Sequence, residues 1–284
     1  MDLAYETVGS GPPLLLVSGW SQPGARWRRF AELLADRYTC VMPDNRECGH
    51  TGPSPTPFTL TDLADDLLAL MDKLGHRRFL LLGVSMGGMI SQELITRAPE
   101  RVVAAVLVST WGASVGAVLA PDPMVVYPVG TTRYEIGYNL WSRLAGPGFA
   151  EAHPEAIHEE ALVNAEFETT LEAVMRQLDA IRQWDPGDAL LQADVPIRVV
   201  HGDADPLIPY ENGVRLAQRL GVELVTFEGV GHGVPFERPD EFKALVEAFF
   251  EAYRSSSSEW PSDASAAGTA ESPSGASAAA ASSA

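Results

Sequence analysis

At 284 residues, the chain is long enough for one large α/β domain carrying an insertion or for two ordinary domains. Its composition, 46% apolar and 20% charged, is that of a globular protein able to bury a sizeable core. A net charge of −18 repels phosphate backbones and anionic lipid, which excludes nucleic acid as a partner, and no apolar run approaches the roughly 18 residues of a membrane span.

In chain order, the first strand signal is the apolar run 14–17, followed by a segment with Arg26, Arg28 and Arg29 on a helix and by a second strand at 39–42. Leu63, Leu67, Met71 and Leu74 then recur at helical spacing, with Thr61 as the N-cap and Gly75 where a glycine ends a helix. Strands at 79–84 and 102–108 bracket a helix at 88–97. Strands at 197–200 and 224–227 are each followed by helical patterns, at 211–220 and 240–253. Short β-branched or leucine-rich runs alternating with amphipathic stretches predict an α/β fold with a mostly parallel sheet covered on both faces. The rhythm breaks between Trp111 and Ala193, where helical spacing such as Leu171, Val174, Leu178 and Ile181 dominates. A structureless loop of that length is implausible in a compact domain. The predicted organisation is therefore a core of 1–110 and 194–254, a helical cap over 111–193, and a disordered Ser/Ala-rich tail over 255–284 that buries too little surface to offset its ordering entropy.

The sharpest chemical signal is Gly83-Val84-Ser85-Met86-Gly87-Gly88, directly after a strand and directly before a helix. A serine in a tight strand-to-helix turn needs small neighbours, and the turn lifts its hydroxyl clear of the sheet toward the positive end of the helix, where free N–H groups stabilise an oxyanion. Serine is a poor nucleophile at neutral pH unless an imidazole takes its proton and a carboxylate orients that imidazole. Both follow downstream. His201-Gly202-Asp203-Ala204-Asp205 begins as the 197–200 strand ends, and Gly231-His232-Gly233 follows the 224–227 strand. Open α/β sheets bind ligands at these C-terminal strand ends. His232, flanked by glycines that let its loop approach the serine, is the stronger base candidate.

These three segments, in this order on these elements, resemble the α/β-hydrolase superfamily over roughly residues 1–254, in its serine-nucleophile branch, which includes enol-lactonases, polyketide methylesterases and carbon–carbon bond hydrolases. The resemblance implies Ser85 as nucleophile, His232 as base and Asp205 as the acid, since Asp205 holds the D of an H-G-x-x-D-x-x-x-P pattern. Asp203 is then a turn former bonding its own backbone, and His201 a packing or hydrogen-bonding residue. It also implies an oxyanion hole from the backbone N–H of Met86 and of a second residue in the loop Ser18-Gly19-Trp20-Ser21, with Trp20 the expected donor and Ser21 the alternative. Relatives commonly have His-Gly where this chain has Ser18-Gly19. They often read D-x-R-G-x-G-x-S where it has Asp44-Asn45-Arg46-Glu47-Cys48-Gly49-His50-Thr51, so Glu47 replaces a small residue. Arg46 is expected to tie down carbonyls or a carboxylate in a structural loop, of which His50 is either a part or a residue facing the substrate.

The expected reaction is hydrolysis of a carboxylic ester or lactone of a medium-sized, partly hydrophobic molecule, with Trp111, Tyr127, Tyr134, Tyr138 and Trp141 either lining the pocket or packing the cap onto the core. Carbon–carbon cleavage or a cofactor-free lyase on the same residues, and a hydrolase-like small-ligand receptor, are the alternatives. No metal or cofactor is expected, because His153, His158 and Glu159 fit no ligand spacing and no dinucleotide fingerprint is present. Cys40 and Cys48 read as structural thiols. No secretory leader pattern precedes the first strand, so a cytoplasmic monomer or homodimer acting on a small molecule is expected.

Overall fold

The computed structural model describes residues 1–114, 116–167 and 169–254; the Ser/Ala-rich stretch from 255 onward lies outside them. Seven strands, β1 (Tyr5–Val8), β2 (Pro13–Val17), β3 (Thr39–Pro43), β4 (Phe79–Val84), β5 (Val102–Val108), β6 (Ile197–Gly202) and β7 (Leu224–Phe227), form one sheet in the order β1-β3-β2-β4-β5-β6-β7. All neighbours run parallel except β1, which is antiparallel to β3. The helices are α1 (Arg28–Leu34), α2 (Leu60–Lys73), α3 (Met86–Arg97), α4 (Arg133–Leu144), α5 (Phe149–Ala152), α6 (Pro154–Glu166), α7 (Leu171–Arg182), α8 (Tyr210–Leu220), α9 (Val234–Glu237) and α10 (Pro239–Arg254).

Successive strand side chains point to opposite faces, so β2 divides its leucines between two cores. Leu15 and Val17 join Leu81, Leu107 and Val199 against α2, α3 and α8. Leu14 and Leu16 join Leu80, Leu82 and Val106 against Phe30 and Leu34 of α1 and Phe242, Val246 and Phe250 of α10. Burial on both faces is why these strands read as continuous apolar runs rather than alternating ones.

Two local expectations need correction. β1 was not foreseen, because it is a four-residue edge strand of alternating exposure with a charge at Glu6. The α2 N-cap is Thr59, not Thr61: the Thr59 hydroxyl accepts the Asp62 N–H and Asp62 accepts the Thr59 N–H, a reciprocal capping box, while Thr61 bonds Glu93. Gly75 does end that helix, at φ 77, with the His76 N–H reaching the Met71 carbonyl.

Between β5 and β6 the described residues form α4 to α7 and no strand. Helices α4 and α6 approach closely at Gly137, where a Cβ would lie 2.5 Å from that of Asn164. The basic cluster ahead of and on α1 binds this insertion: Arg26, Arg28 and Arg29 pair with Glu160, Glu166 and Glu159, all on α6, and Arg28 also pairs with Glu6 of β1. No helix among the described residues is long and apolar enough to cross a membrane.

Candidate functional site

Ser85 stands between β4 and α3 at φ 59 and ψ −123, a conformation sparsely populated by residues with a Cβ. Its flanking glycines are sterically required. A Cβ at Gly83 would sit 2.3 Å from the Gly87 carbonyl oxygen, and one at Gly87 would sit 2.1 Å from that of Val17. The turn is held by Ser85 N–H donating to Val108 O at 2.9 Å and by the Thr110 hydroxyl donating to Ser85 O at 2.8 Å. Met86 is the first residue of α3, so its N–H is one of those that helix geometry leaves without an intrahelical acceptor. Opposite, the 18–22 loop comes so near that a Cβ on Gly19 would lie 3.2 Å from the Ser85 Cβ. In that loop Ser21 N–H is already donated to Gln177 Oε1, while among the described residues Trp20 N–H has no partner.

Asp205 and His232 occupy the loops after β6 and β7. The His232 Nδ1–H donates to Asp205 Oδ2 at 2.8 Å, and the other carboxylate oxygen accepts the N–H groups of Leu207 and Ile208, each at 2.9 Å. Burial pushes the Asp205 carboxyl up, but the His232 charge and the hydrogen bonds of His201 and His232 outweigh it and hold it at about 2, below the usual 3.8. Local bonding to its own backbone is thus the work of Asp205; Asp203, expected in that role, instead accepts from Gly229 at 2.7 Å. His201 is fully buried, with Nε2 2.8 Å from Ile208 O and 3.3 Å from Asp205 Oδ2. Ser85 and His232 line one cavity. No hydrogen bond joins their side chains here, and such contacts are often long before substrate binds.

The cavity has a volume of about 420 Å³ and a mostly apolar wall that includes Trp27, Phe30, Trp141, Phe167 and Phe236. Of the five aromatics that were candidates to line it, only Trp141 does so. Helix α4 turns Arg133, Ile136, Leu140, Trp141 and Leu144 inward at helical spacing, and that register leaves Tyr134 and Tyr138 on another face, stacked on each other, with the Tyr134 hydroxyl bonded to His158. Tyr127 is 56% exposed, and Trp111 lines a separate groove beside α8.

Three polar groups that belong to no motif in the sequence hold the elements around the cavity together. Arg26 places all five of its N–H donors, on Gln22, the Glu160 carboxylate and carbonyl, and Asn164, so it latches α6 and has none left for a ligand. Its guanidinium lies 4.8 Å over the Trp141 ring and fixes that ring in the wall. Buried Gln177 of α7 bonds two core loops. Buried Glu237 of α9 accepts Gly231 N–H at 3.0 Å and Gly146 N–H at 2.8 Å, while His232 N–H donates to Leu144 O at 2.8 Å, so one carboxyl ties the His232 loop to the end of α4. The only hint of Gln177 was an amide set into the 174, 178, 181 stripe; nothing marked Glu237.

Burial pushes Glu237 up to about 7, against the backbone hydrogen bonds of Gly146, Gly231 and Gly233 and the charge of Arg238, which act in the opposite direction. The folded protein therefore holds this proton more tightly than the unfolded chain does, so the contribution to stability is complete below the ordinary value of 4.5 and is lost as pH rises through 7. Urea unfolding is expected to show a loss on the order of 2 kcal/mol between about pH 5 and about pH 8 that Glu237→Gln abolishes; equal slopes in the two proteins would refute the assignment.

The remaining candidates lie elsewhere. His50 is exposed and stacks edge-on against Phe167, and His153 pairs with Glu155 in solvent. Arg46 holds the buried Asp66 carboxylate through two N–H groups. Glu47 adopts φ 63, where a glycine is most at ease, and is held there by Arg176 and Ser54 N–H. Burial pushes the Cys40 and Cys48 thiols up to about 12, which leaves them unreactive.

The model of the alpha/beta hydrolase family matches residues 14–245. The chain is 27% identical to a putative carbamate hydrolase RutD of Agrobacterium fabrum, covering 86% of this chain and 94% of that one. It is 26% identical to 3-oxoadipate enol-lactonase 2 of Acinetobacter baylyi, covering 88% and 94%. In fold it is similar to the enol-lactonase from Burkholderia xenovorans, with a TM-score of 0.75 at 24% identity over 88% of this chain and 96% of that one. Because the family match runs from β2 into α10, across every parallel strand of the sheet that carries Ser85, the chain belongs to the alpha/beta hydrolase family.

Proposed function

We propose that the protein is a serine hydrolase that cleaves a carboxylic ester or lactone of a medium-sized, partly hydrophobic molecule through an acyl-enzyme on Ser85. The observation that carries this reading is the orientation of His232: its Nδ1–H is bound by an ionised, buried carboxylate, which leaves Nε2 as the basic nitrogen on a ring that lines the same cavity as the Ser85 hydroxyl. In this mechanism Ser85 Oγ attacks the carbonyl carbon and its proton passes to His232 Nε2. Asp205 stabilises the imidazolium, and the N–H groups of Met86 and Trp20 receive the developing oxyanion. His232 returns the proton to the leaving alcohol, then activates water to hydrolyse the acyl-enzyme. The apolar wall and the cavity volume suit an acyl group of moderate size.

Turnover of p-nitrophenyl esters of increasing acyl length tests the proposal, with rapidly quenched samples examined for an acyl group on the peptide that contains Ser85. The acyl adduct is expected, and Trp141→Ala is expected to shift the ratio of kcat/KM between the longest and shortest esters by roughly ten-fold. A folded enzyme that turns over none of them, or an adduct on another residue, would sink the ester reading. A uniform loss across all esters with a lowered Tm would remove Trp141 from substrate selection.

A further inference from the structure

The loop expected to donate to the oxyanion contains a conformational problem. Residues 19–22 form a turn closed by Gln22 N–H donating to Gly19 O at 3.2 Å, and its third position, Ser21, has φ 54. Turns with a positive φ at that position strongly favour glycine, because a side chain there drives the central peptide toward the flipped form with negative φ. In this turn the central peptide N–H is that of Ser21, and it is bound at 2.7 Å by the side chain of Gln177, which comes from α7 of the insertion.

Gln177 is fully buried, and its amide has only one satisfying orientation. Oε1 faces the Ser21 N–H, while Nε2 donates to Arg46 O at 2.9 Å and to Cys48 Sγ at 3.1 Å. Helix α7 adds two further ties to the same turn region: Trp20 Nε1 donates to Val174 O at 2.9 Å, and Thr169, just ahead of α7, donates to Ser21 O at 3.4 Å. Binding the Ser21 N–H also removes it as a competing donor, while Trp20 N–H has no partner among the described residues.

We infer that Gln177 is a positioning residue for the oxyanion hole: it locks the 19–22 turn in its strained form and so fixes which backbone N–H, that of Trp20, meets the transition state. The insertion then contributes to the chemistry as well as to the cavity wall. This inference rests on the Ser85 acyl-enzyme reading above.

The test compares Gln177→Met, which keeps length and volume but neither accepts nor donates as an amide does, with wild type on the best p-nitrophenyl ester and with phenylboronic acid, whose tetrahedral serine adduct directs an oxygen into the oxyanion site. The expected result is a roughly 10- to 100-fold fall in kcat with KM within about three-fold, and a fall in phenylboronic acid affinity that tracks kcat. Adding Ser21→Gly, which tolerates positive φ without the Gln177 bond, is expected to recover about ten-fold of a full loss. Arg176→Ala, which releases α7 from Glu47 and Ser54 without touching the turn, is expected to change kcat by less than about three-fold. If Gln177→Met does not accumulate as folded protein, Gln177→Asn, whose amide is withdrawn by one methylene, is read in the same way. Unchanged kcat and boronate affinity in a folded variant, a loss that Ser21→Gly leaves untouched, or an equal loss in Arg176→Ala overturns the inference while leaving the Ser85 reading standing. Retained turnover in Ser85→Ala overturns the reading itself.

Discussion

Replacing Ser85 by alanine is expected to lower kcat by about 10⁵-fold or more while leaving KM for a slowly turned-over ester within a small factor. The size of the effect follows from the proposed role, because without Oγ no acyl-enzyme forms and the donors at Met86 and Trp20 assist only direct attack by water. His232→Ala should cost about as much, and the double variant scarcely more, since base and nucleophile act as one unit. Stability separates chemistry from folding in this experiment. Ser85→Ala keeps a Cβ at φ 59 and should unfold close to wild type, whereas Ser85→Gly relieves the strained turn and should gain about 1 kcal/mol. Multiple turnovers by folded Ser85→Ala at more than about a hundredth of the wild-type rate would dismiss the serine as nucleophile.

The second large effect is expected at Asp205→Asn, roughly 10⁴-fold in kcat. The bonding pattern makes the outcome directional. Oδ1 is committed to two N–H groups, those of Leu207 and Ile208, so the asparagine oxygen stays there and its NH₂ group faces His232 Nδ1. The ring must then carry its proton on Nε2, the nitrogen needed as the base. The same NH₂ group is brought against His201 Nε2, which bonds the Ile208 carbonyl as a donor, so a modest loss of stability should accompany the loss of rate. Because the Asp205 carboxyl is held at about 2, its contribution to stability is present above its ordinary value of 3.8 and is lost only as pH falls through 2. Asp205 therefore stays ionised across the neutral range and adds no limb of its own to the kcat/KM profile there. An Asp205→Asn enzyme with near-normal kcat would contradict this assignment.

Much of the site was legible in the linear chain because its chemistry is local. The strand-turn-helix around Ser85 is written in consecutive residues: a buried run, two glycines where neighbouring backbone leaves no room for a Cβ, and a helix that starts at Met86. Asp205 was separated from Asp203 by its place in a motif, and the structure gives the two carboxylates different partners. The pocket aromatics were less legible. The stretch was found, but Trp141 faces the cavity and Tyr134 and Tyr138 do not, a distinction set by how α4 rolls against α6 around Gly137. The short edge strand β1 was missed for a related reason, since its pairing with β3, not its own pattern, makes it a strand.

The sequence by itself determined the α/β class, the order of the parallel strands' chemistry-bearing loops and Ser85 and His232 as candidates, because periodicity and turn chemistry act over a few residues; Asp205 was singled out by the resemblance to the family's acid-loop pattern. Tertiary structure alone decided which groups hold those candidates in place. Arg26 reaches Glu160 across 134 positions, Gln177 reaches Ser21 across 156, and Glu237 reaches Gly146 across 91. Each is a buried polar group whose partner is chosen by the packing of the insertion on the sheet, and a buried donor or acceptor must find a partner wherever the fold places one.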